Sequence, residues 1–276
     1  MGWCHTLHPM SGAAATTSAG ARTLAFDGAG FVPVDAPARD PLVADSWLVV
    51  DAGVVGWATH VERFAGSVAR QGGDAALAQR AASAVPSAVP AAGAWFPRLD
   101  WPDPAVHDAP ILHVRPAPAL ARRARVRTAE EDPRTTPHVK GPDLTALGAL
   151  RERARGEGAD EAVVTVGGIV VDGATSAVAW WRDDALHLPP ASATRVASTT
   201  ARQLVAVALA RGVEVREEAA APASLAGAEV WLVNALHGIR GVTAWAEPDG
   251  THHAIAQPRR ADAWHTALER LRRPWT

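Results

Sequence analysis

The chain has 276 residues, 48% hydrophobic and 20% charged, enough apolar material for one large domain or two ordinary ones, which excludes a disordered chain. Its formal net charge is -2 and its arginines are dispersed, so the basic footprint of a nucleic-acid binder is missing. The single cysteine, Cys4, excludes an internal disulfide framework and a cysteine-based zinc site, and no apolar run is long enough to span a membrane. Residues 1–22 read as a loose tail, lacking the basic and apolar regions of a signal peptide, and the expected compartment is cytoplasmic.

The predicted elements begin with short strands at 23–26 and 30–34, joined by the turn Asp27-Gly-Ala-Gly30. A strand over 46–51 and another over 54–57 flank the tight turn Ala52-Gly53. Thr59 and Glu62 have capping-box spacing and predict a helix starting there; an alanine-rich helix follows over 74–87. A strand at 111–115 ends at Pro116. Residues 116–139 are rich in Pro and Arg, with a strand expected only at 125–128, so the connection between two halves is placed at 119–136, after a domain over 23–118 and before one over 137–276. In the second half, Leu144, Leu147, Leu150 and Ala154 have helical spacing over 144–157. Hairpins are predicted at 161–172 around Gly167-Gly168 and at 177–188 around Asp183-Asp184. A helix over 198–211, strands at 214–218 and 230–233, and a helical turn at 222–225 complete the pattern. His252-His253 reads as a solvated hairpin rather than a metal site. Strands and helices mix without strict alternation, which predicts a mixed α/β (α+β) fold.

Of 27 Lys plus Arg residues, Lys140 is the only lysine. Arginine replaces lysine on a solvated surface at little cost, but a guanidinium stays protonated and cannot form an imine with a carbonyl. A sole lysine in the stretch Pro133-Arg-Thr-Thr-Pro-His-Val-Lys140-Gly-Pro-Asp143 is therefore a candidate imine-forming residue. The chain has 11 Trp and no Tyr, so no phenol can act as acid or base; Trp47, Trp180, Trp181, Trp231 and Trp245 lie in strand-like runs, where core packing is their expected role. No G-x-S-x-G elbow, P-loop or H-E-x-x-H occurs, and Gly28-Ala-Gly30 fails as a dinucleotide fingerprint at its third glycine.

Six landmarks occur in order: His60-Val-Glu-Arg63-Phe, Val139-Lys140-Gly-Pro-Asp-Leu, Gly158-Ala-Asp-Glu-Ala162, Val171-Asp-Gly-Ala-Thr-Ser-Ala177, Ser198-Thr-Thr200, and Val233-Asn-Ala-Leu-His-Gly-Ile239. Together they resemble the fold-type IV pyridoxal-phosphate enzymes, the class IV aminotransferase and aminodeoxychorismate lyase family. The resemblance implies a two-domain architecture like that of D-amino acid aminotransferase, pyridoxal 5'-phosphate as coenzyme, and a homodimer. It implies that Lys140 bonds the coenzyme and, once released, moves a proton as base and acid. Ser198, Thr199 and Thr200 at a helix start, with Arg63, Asn234 and Ala235, are the implied phosphate contacts; a helix N-terminus suits a phosphate in any case. Asp172 stands where the family has a glutamate for the ring nitrogen, and Ala177 where it has an asparagine. For a small anionic amino substrate, Arg98, Arg115, His237 and Arg240 are the candidate contacts. Asn234-Ala-Leu236 is similar to the lyase branch, which releases pyruvate and 4-aminobenzoate. A transaminase with a 2-oxo acid acceptor is the alternative, and a family member without coenzyme chemistry is the second.

Overall fold

A computed structural model of the chain describes residues 20–35 and 39–275, so most of the expected N-terminal tail, with Cys4, lies outside the described residues. In the first half, β1 (Arg22–Phe26), β2 (Phe31–Pro33), β3 (Val43–Ser46), β4 (Val49–Val50) and β5 (Gly53–Val55) precede two helices, α1 (Trp57–Arg70) and α2 (Ala75–Ala88). Then come β6 (Ala94–Trp95), β7 (Arg98–Trp101) and β8 (Ile111–Val114). The antiparallel order β2-β1-β8-β7-β3 makes one sheet, and its buried face packs with α1 and α2 around Val43, Phe64, Val68, Val85, Leu99 and Leu112.

The second half starts with β9 (Arg123–Thr128), α3 (Leu144–Gly156), β10 (Glu161–Val166), β11 (Ile169–Gly173), β12 (Ala177–Arg182) and β13 (Ala185–Leu188). It continues through α4 (Thr199–Ala210), β14 (Val215–Glu217), a single 3-10 turn at Pro222–Leu225, β15 (Glu229–Asn234), β16 (Gly238–Ala246), β17 (His252–His253), α5 (Ala261–Glu269) and β18 (Arg272–Pro274). Its large sheet runs β11-β10-β9-β16-β15-β12-β13-β14, with β17 added to β16. The sheet curls far enough for β11 to touch β12. Val126, Val163, Val170, Val178, Trp180, Val230, Leu232 and Trp245 form one core on one face, while α4 and α5 cover the other over Trp181, Trp231 and Trp264. β15 is buried almost end to end, as expected of a strand covered on both faces.

Several boundaries differ from the sequence-based expectations. The strand expected over 46–51 is split between β3 and β4, which belong to different sheets, with buried Trp47 between them. The helix predicted to begin at a Thr59–Glu62 capping box starts at Trp57, capped by Gly56 in the left-handed region at φ 69° with no side-chain cap. Thr59 instead accepts a hydrogen bond from Gln203 Nε2 at 3.1 Å, and Glu62 pairs with Arg202 at 2.9 Å, so both residues bind α1 to α4. The segment expected to connect the halves contains β9, a central strand parallel to both β10 and β16. Its sequence Arg123-Ala-Arg-Val-Arg-Thr128 alternates, with Ala124, Val126 and Thr128 buried and the arginines more exposed. The C-terminal β18 returns to the first half, pairing with β5 in the sheet β18-β5-β4-β6. Among the described residues no helix is long and apolar enough to cross a membrane.

Candidate active site

The loop before α3 carries Lys140 and is held from inside by Asp143. This buried carboxylate accepts from the Thr135 backbone N–H at 3.0 Å, the Thr135 hydroxyl at 2.7 Å and the Thr136 N–H at 3.0 Å. From outside, the Lys140 carbonyl accepts from the Ala44 N–H of β3 at 2.6 Å. So close an approach needs Gly141: its φ is +146°, and a Cβ there would lie 2.8 Å from the Val43 Cα. The strapping brings Lys140 beside the next β3 residue, Asp45, with Nζ 3.9 Å from Oδ1.

Asp45 is 0% exposed and collects donors. Its Oδ1 accepts from the Ser46 N–H at 2.7 Å, His60 Nδ1 at 3.0 Å and Arg63 NH2 at 2.5 Å, and its Oδ2 accepts from Arg63 Nε at 2.9 Å. Arg63 and His60 together hold its carboxyl below the usual range despite the opposing effect of burial. Burial pushes the His60 pKa down, outweighing the attraction of Asp45, so the ring is neutral at pH 7. Its Nδ1 then carries the proton given to Asp45, and Nε2 accepts from the Thr199 hydroxyl at 3.3 Å.

Thr199 opens α4. Ser198 caps that helix, its Oγ accepting from the Ala201 N–H at 3.1 Å. Arg63 NH1 donates to the Ala197 carbonyl at 3.0 Å, which sets the guanidinium beside the helix N-terminus with Thr199 and Thr200 buried there. Lys140, Arg63 and the start of α4 are thus gathered in one place. Burial and the fields of Arg63, Arg115 and Arg98 lower the Lys140 pKa to about 8, against the attraction of Asp45.

Asp172 lies in a second cluster, at the end of the β10–β11 hairpin. Its Oδ2 is 3.9 Å from Arg134 NH1, and burial raises its pKa to about 7 although Arg134 and Arg195 oppose that shift. Arg134 NH1 and Arg195 Nε are buried donors without a partner among the described residues. The turn after Asp172 rests on a buried grid. Glu161, 0% exposed, accepts from the Thr175 N–H at 2.8 Å, the Thr175 hydroxyl at 2.7 Å and Arg240 NH2 at 2.6 Å. Asn234 Nδ2 donates to Ser176 Oγ at 3.0 Å, and the Ala235 carbonyl accepts from the Leu48 N–H at 3.1 Å. Asn234-Ala235 therefore spans from the Asp172 turn to the first half.

The four expected substrate contacts divide. Arg98 and Arg115 lie close enough to act electrostatically on Lys140. Arg98 is steadied by Asp100 Oδ2 at 3.1 and 2.8 Å, and Arg115 by the Phe96 carbonyl at 2.9 Å and the Phe96 ring. Arg240 is buried against Glu161 and Ser176, and His237 is buried with Nδ1 accepting from the Ala121 N–H at 3.2 Å. Both belong to the internal framework: Arg240 neutralises a buried acid, and burial keeps His237 uncharged, with a pKa of about 4. Asp45, Glu161, Arg134 and Arg195 were not among the expected site residues. The signal for Asp45 was there: an acid inside the apolar run Leu42-Val-Ala-Asp-Ser-Trp-Leu-Val-Val50 needs a buried cation.

The sequence model of the amino-transferase class IV family matches residues 42–245. The chain belongs to that family. No curated protein matches it. Among solved structures, this class IV aminotransferase superposes on a hypothetical aminotransferase from Mycobacterium tuberculosis in its PLP-bound form, with a TM-score of 0.73 and 19% identity, over 91% of this chain and 98% of that one. A fold IV transaminase from Curtobacterium pusillum gives 0.69 at 20% identity over 91% and 98%. The Escherichia coli branched-chain amino acid aminotransferase gives 0.67 at 16% over 91% and 92%. The architecture is that of the fold-type IV transaminases. Pyridoxal phosphate is the coenzyme of such enzymes, and the donor set of this class IV aminotransferase fits it. One half-buried amine can bond an aldehyde, an arginine beside a capped helix N-terminus can hold a phosphate, and a buried carboxyl near neutrality can pair with a ring nitrogen.

Proposed function

We propose that this class IV aminotransferase is a pyridoxal-phosphate-dependent transaminase that moves an amino group from a small anionic amino acid to a 2-oxo acid. The bound coenzyme would supply the electron sink that makes the bond to the substrate's α-hydrogen labile. Lys140 would hold the coenzyme through its aldehyde, and as a free amine with a pKa of about 8 it can both take and return a proton near neutrality. Arg63, Ser198, Thr199 and Thr200 hold the phosphate, with Asn234 and Ala235 completing its cradle. Asp172 holds the proton of the ring nitrogen, one methylene shorter than the glutamate of the resembled family. Arg98 and Arg115 take the substrate carboxylate. The observation that carries the reading is this grouping: the chain's one lysine is half-buried amid Arg63, Arg98 and Arg115, an arrangement that favours an anionic substrate at the amine.

A second reading, elimination of pyruvate in the manner of aminodeoxychorismate lyase, is favoured by Asn234-Ala-Leu236, whose Asn234 side chain is tied to the Ser176 turn. Products separate the two. The transaminase turns over only with a 2-oxo acid present, whereas the lyase forms pyruvate and an aromatic amine without one. Coenzyme-loaded protein is expected to show a visible absorbance band that Lys140→Ala abolishes together with turnover. A protein that stays colourless at saturating coenzyme would remove both readings and leave a family member without coenzyme chemistry. A homodimer in the cytoplasm completes the proposal, and light scattering of the purified protein checks the dimer.

A further inference from the structure

Lys140 is faced from several elements. β3 contributes Asp45, α1 contributes His60 and Arg63, the start of β7 contributes Arg98, and Arg115 follows β8. His60 is neutral, as argued above, and three of the other groups are guanidiniums. Among the described residues the one carboxylate in contact with the lysine is Asp45, at 3.9 Å. We propose that Asp45 is the counter-ion of Lys140, a positioning residue whose fixed negative charge favours the protonated form of the lysine amine when that amine is not bonded to coenzyme.

The geometry supports this in three ways. First, Asp45 is held ionised and immobile. Arg63 takes both of its oxygens, and the Ser46 N–H and His60 take Oδ1 as well. Second, 3.9 Å is too long for a hydrogen bond, so the attraction acts through charge. The amine can swing toward a substrate without breaking a bond, which a proton carrier needs. Third, without Asp45 burial and the repulsion of Arg63, Arg98 and Arg115 would act on the ammonium with no opposing charge, and its pKa would fall further. It would then be a weaker base, holding a proton taken from the substrate less firmly. The role in turnover rests on the transaminase reading above; the pairing itself does not.

The test uses the chain's composition. Because Lys140 is the only lysine, reductive methylation with 13C-formaldehyde places a single labelled side-chain amine in the coenzyme-free protein, and its titration can be followed by NMR. The wild-type midpoint is expected at about 8. In Asp45→Asn it should fall by at least about one pH unit, the lower end of the effect of an opposite charge at this distance, and Asp45→Glu should restore most of the loss. An unchanged or higher midpoint in folded Asp45→Asn, checked by the near-ultraviolet signal of its tryptophans, overturns the proposal. Should that variant not fold, Asp45→Asn is made in an Arg63→Met background, where no guanidinium is left unpaired. Relative to Arg63→Met alone the midpoint must fall, and a midpoint that stays or rises overturns the proposal. No coenzyme enters these measurements. A colourless protein with the expected midpoints would remove the transaminase reading and leave the pairing, whereas a coloured, active protein with an unshifted Asp45→Asn midpoint would do the reverse.

Discussion

At the scale of single residues, Asp172 carries a cost in the coenzyme-free protein that the coenzyme would reverse. Burial raises its pKa from 3.8 to about 7, so between those values the folded chain keeps a proton that the unfolded chain has lost. The folded state binds more protons in that window, and stability falls as pH rises through it. Asp172→Asn removes the titrating group. The variant should match the wild type near pH 4, gain on it steadily up to pH 7 and hold a constant lead above, on the order of 4 kcal/mol by linkage. Urea unfolding of coenzyme-free protein at pH 5, 7 and 8 checks this, and a gap that does not grow with pH would sink it. If Asp172 pairs with the ring nitrogen of the coenzyme, as proposed, the sign should invert with coenzyme present, because that pairing would favour the ionised carboxylate. Asp172→Asn should then bind coenzyme more weakly than the wild type. A substitution that stabilises the empty protein and weakens the loaded one marks a residue retained for chemistry rather than for folding.

At the scale of elements, the site depends on how tightly the Lys140 loop lies against β3. Gly141→Ala would put a methyl group 2.8 Å from the Val43 Cα and 2.9 Å from the Ala44 nitrogen, both backbone atoms of a buried strand. Neither can rotate away, so the loop must lift and draw Lys140 from Asp45. The expected loss is on the order of 2 kcal/mol or more, with coenzyme affinity falling in parallel. Gly167→Ala is the control. It also has positive φ, +57°, but open space around it, so it should cost about 1 kcal/mol and leave coenzyme binding alone. Equal effects in the two variants, by thermal melting and coenzyme titration, would refute the role given to the close approach. Such contacts mark the limit of what the sequence discloses. The β10–β11 and β12–β13 hairpins and α4 were legible because their patterns are local: short apolar runs about a glycine pair or an aspartate pair, and a hydroxyl cap. β9 is expected only in part, as a strand at 125–128 inside a connection, because its outward positions are all arginine and it sits among prolines, which read as linker. Lys140, Arg63 and Ser198–Thr200 were reachable through residue chemistry and motif order. Asp45 and Glu161 were harder to reach: the apolar run around Asp45 signals a buried acid but not its partner, and Arg63 and Arg240 lie 18 and 79 positions away.

At the scale of the molecule, the two halves meet along the same line that forms the site. Lys140 to Ala44, Ala235 to Leu48, His60 to Thr199 and Gln203 to Thr59 are all contacts between them. A further clamp lies at the end of the chain, where Trp275 stacks edge-on against Trp57 at 5.2 Å and Trp47 at 6.2 Å, two residues on from Asp45. Trp275 is 4% exposed, and its N–H reaches the Ala52 carbonyl at 3.2 Å, so β18 is anchored as core rather than left as a frayed terminus. Truncating a buried tryptophan costs about 3–5 kcal/mol, which in a chain of this size corresponds to roughly 10 °C in Tm. Trp275→Ala is therefore expected to lower the melting temperature of the whole protein by that amount in a single transition. If β18 instead opens by itself, the variant would melt where the wild type does and lose only local amide protection. That outcome would mean the C-terminal strand merely lies on the first half. A single lowered transition would mean that the halves unfold together, with the first-half wall of the Lys140 site held in place by β18 and Trp275.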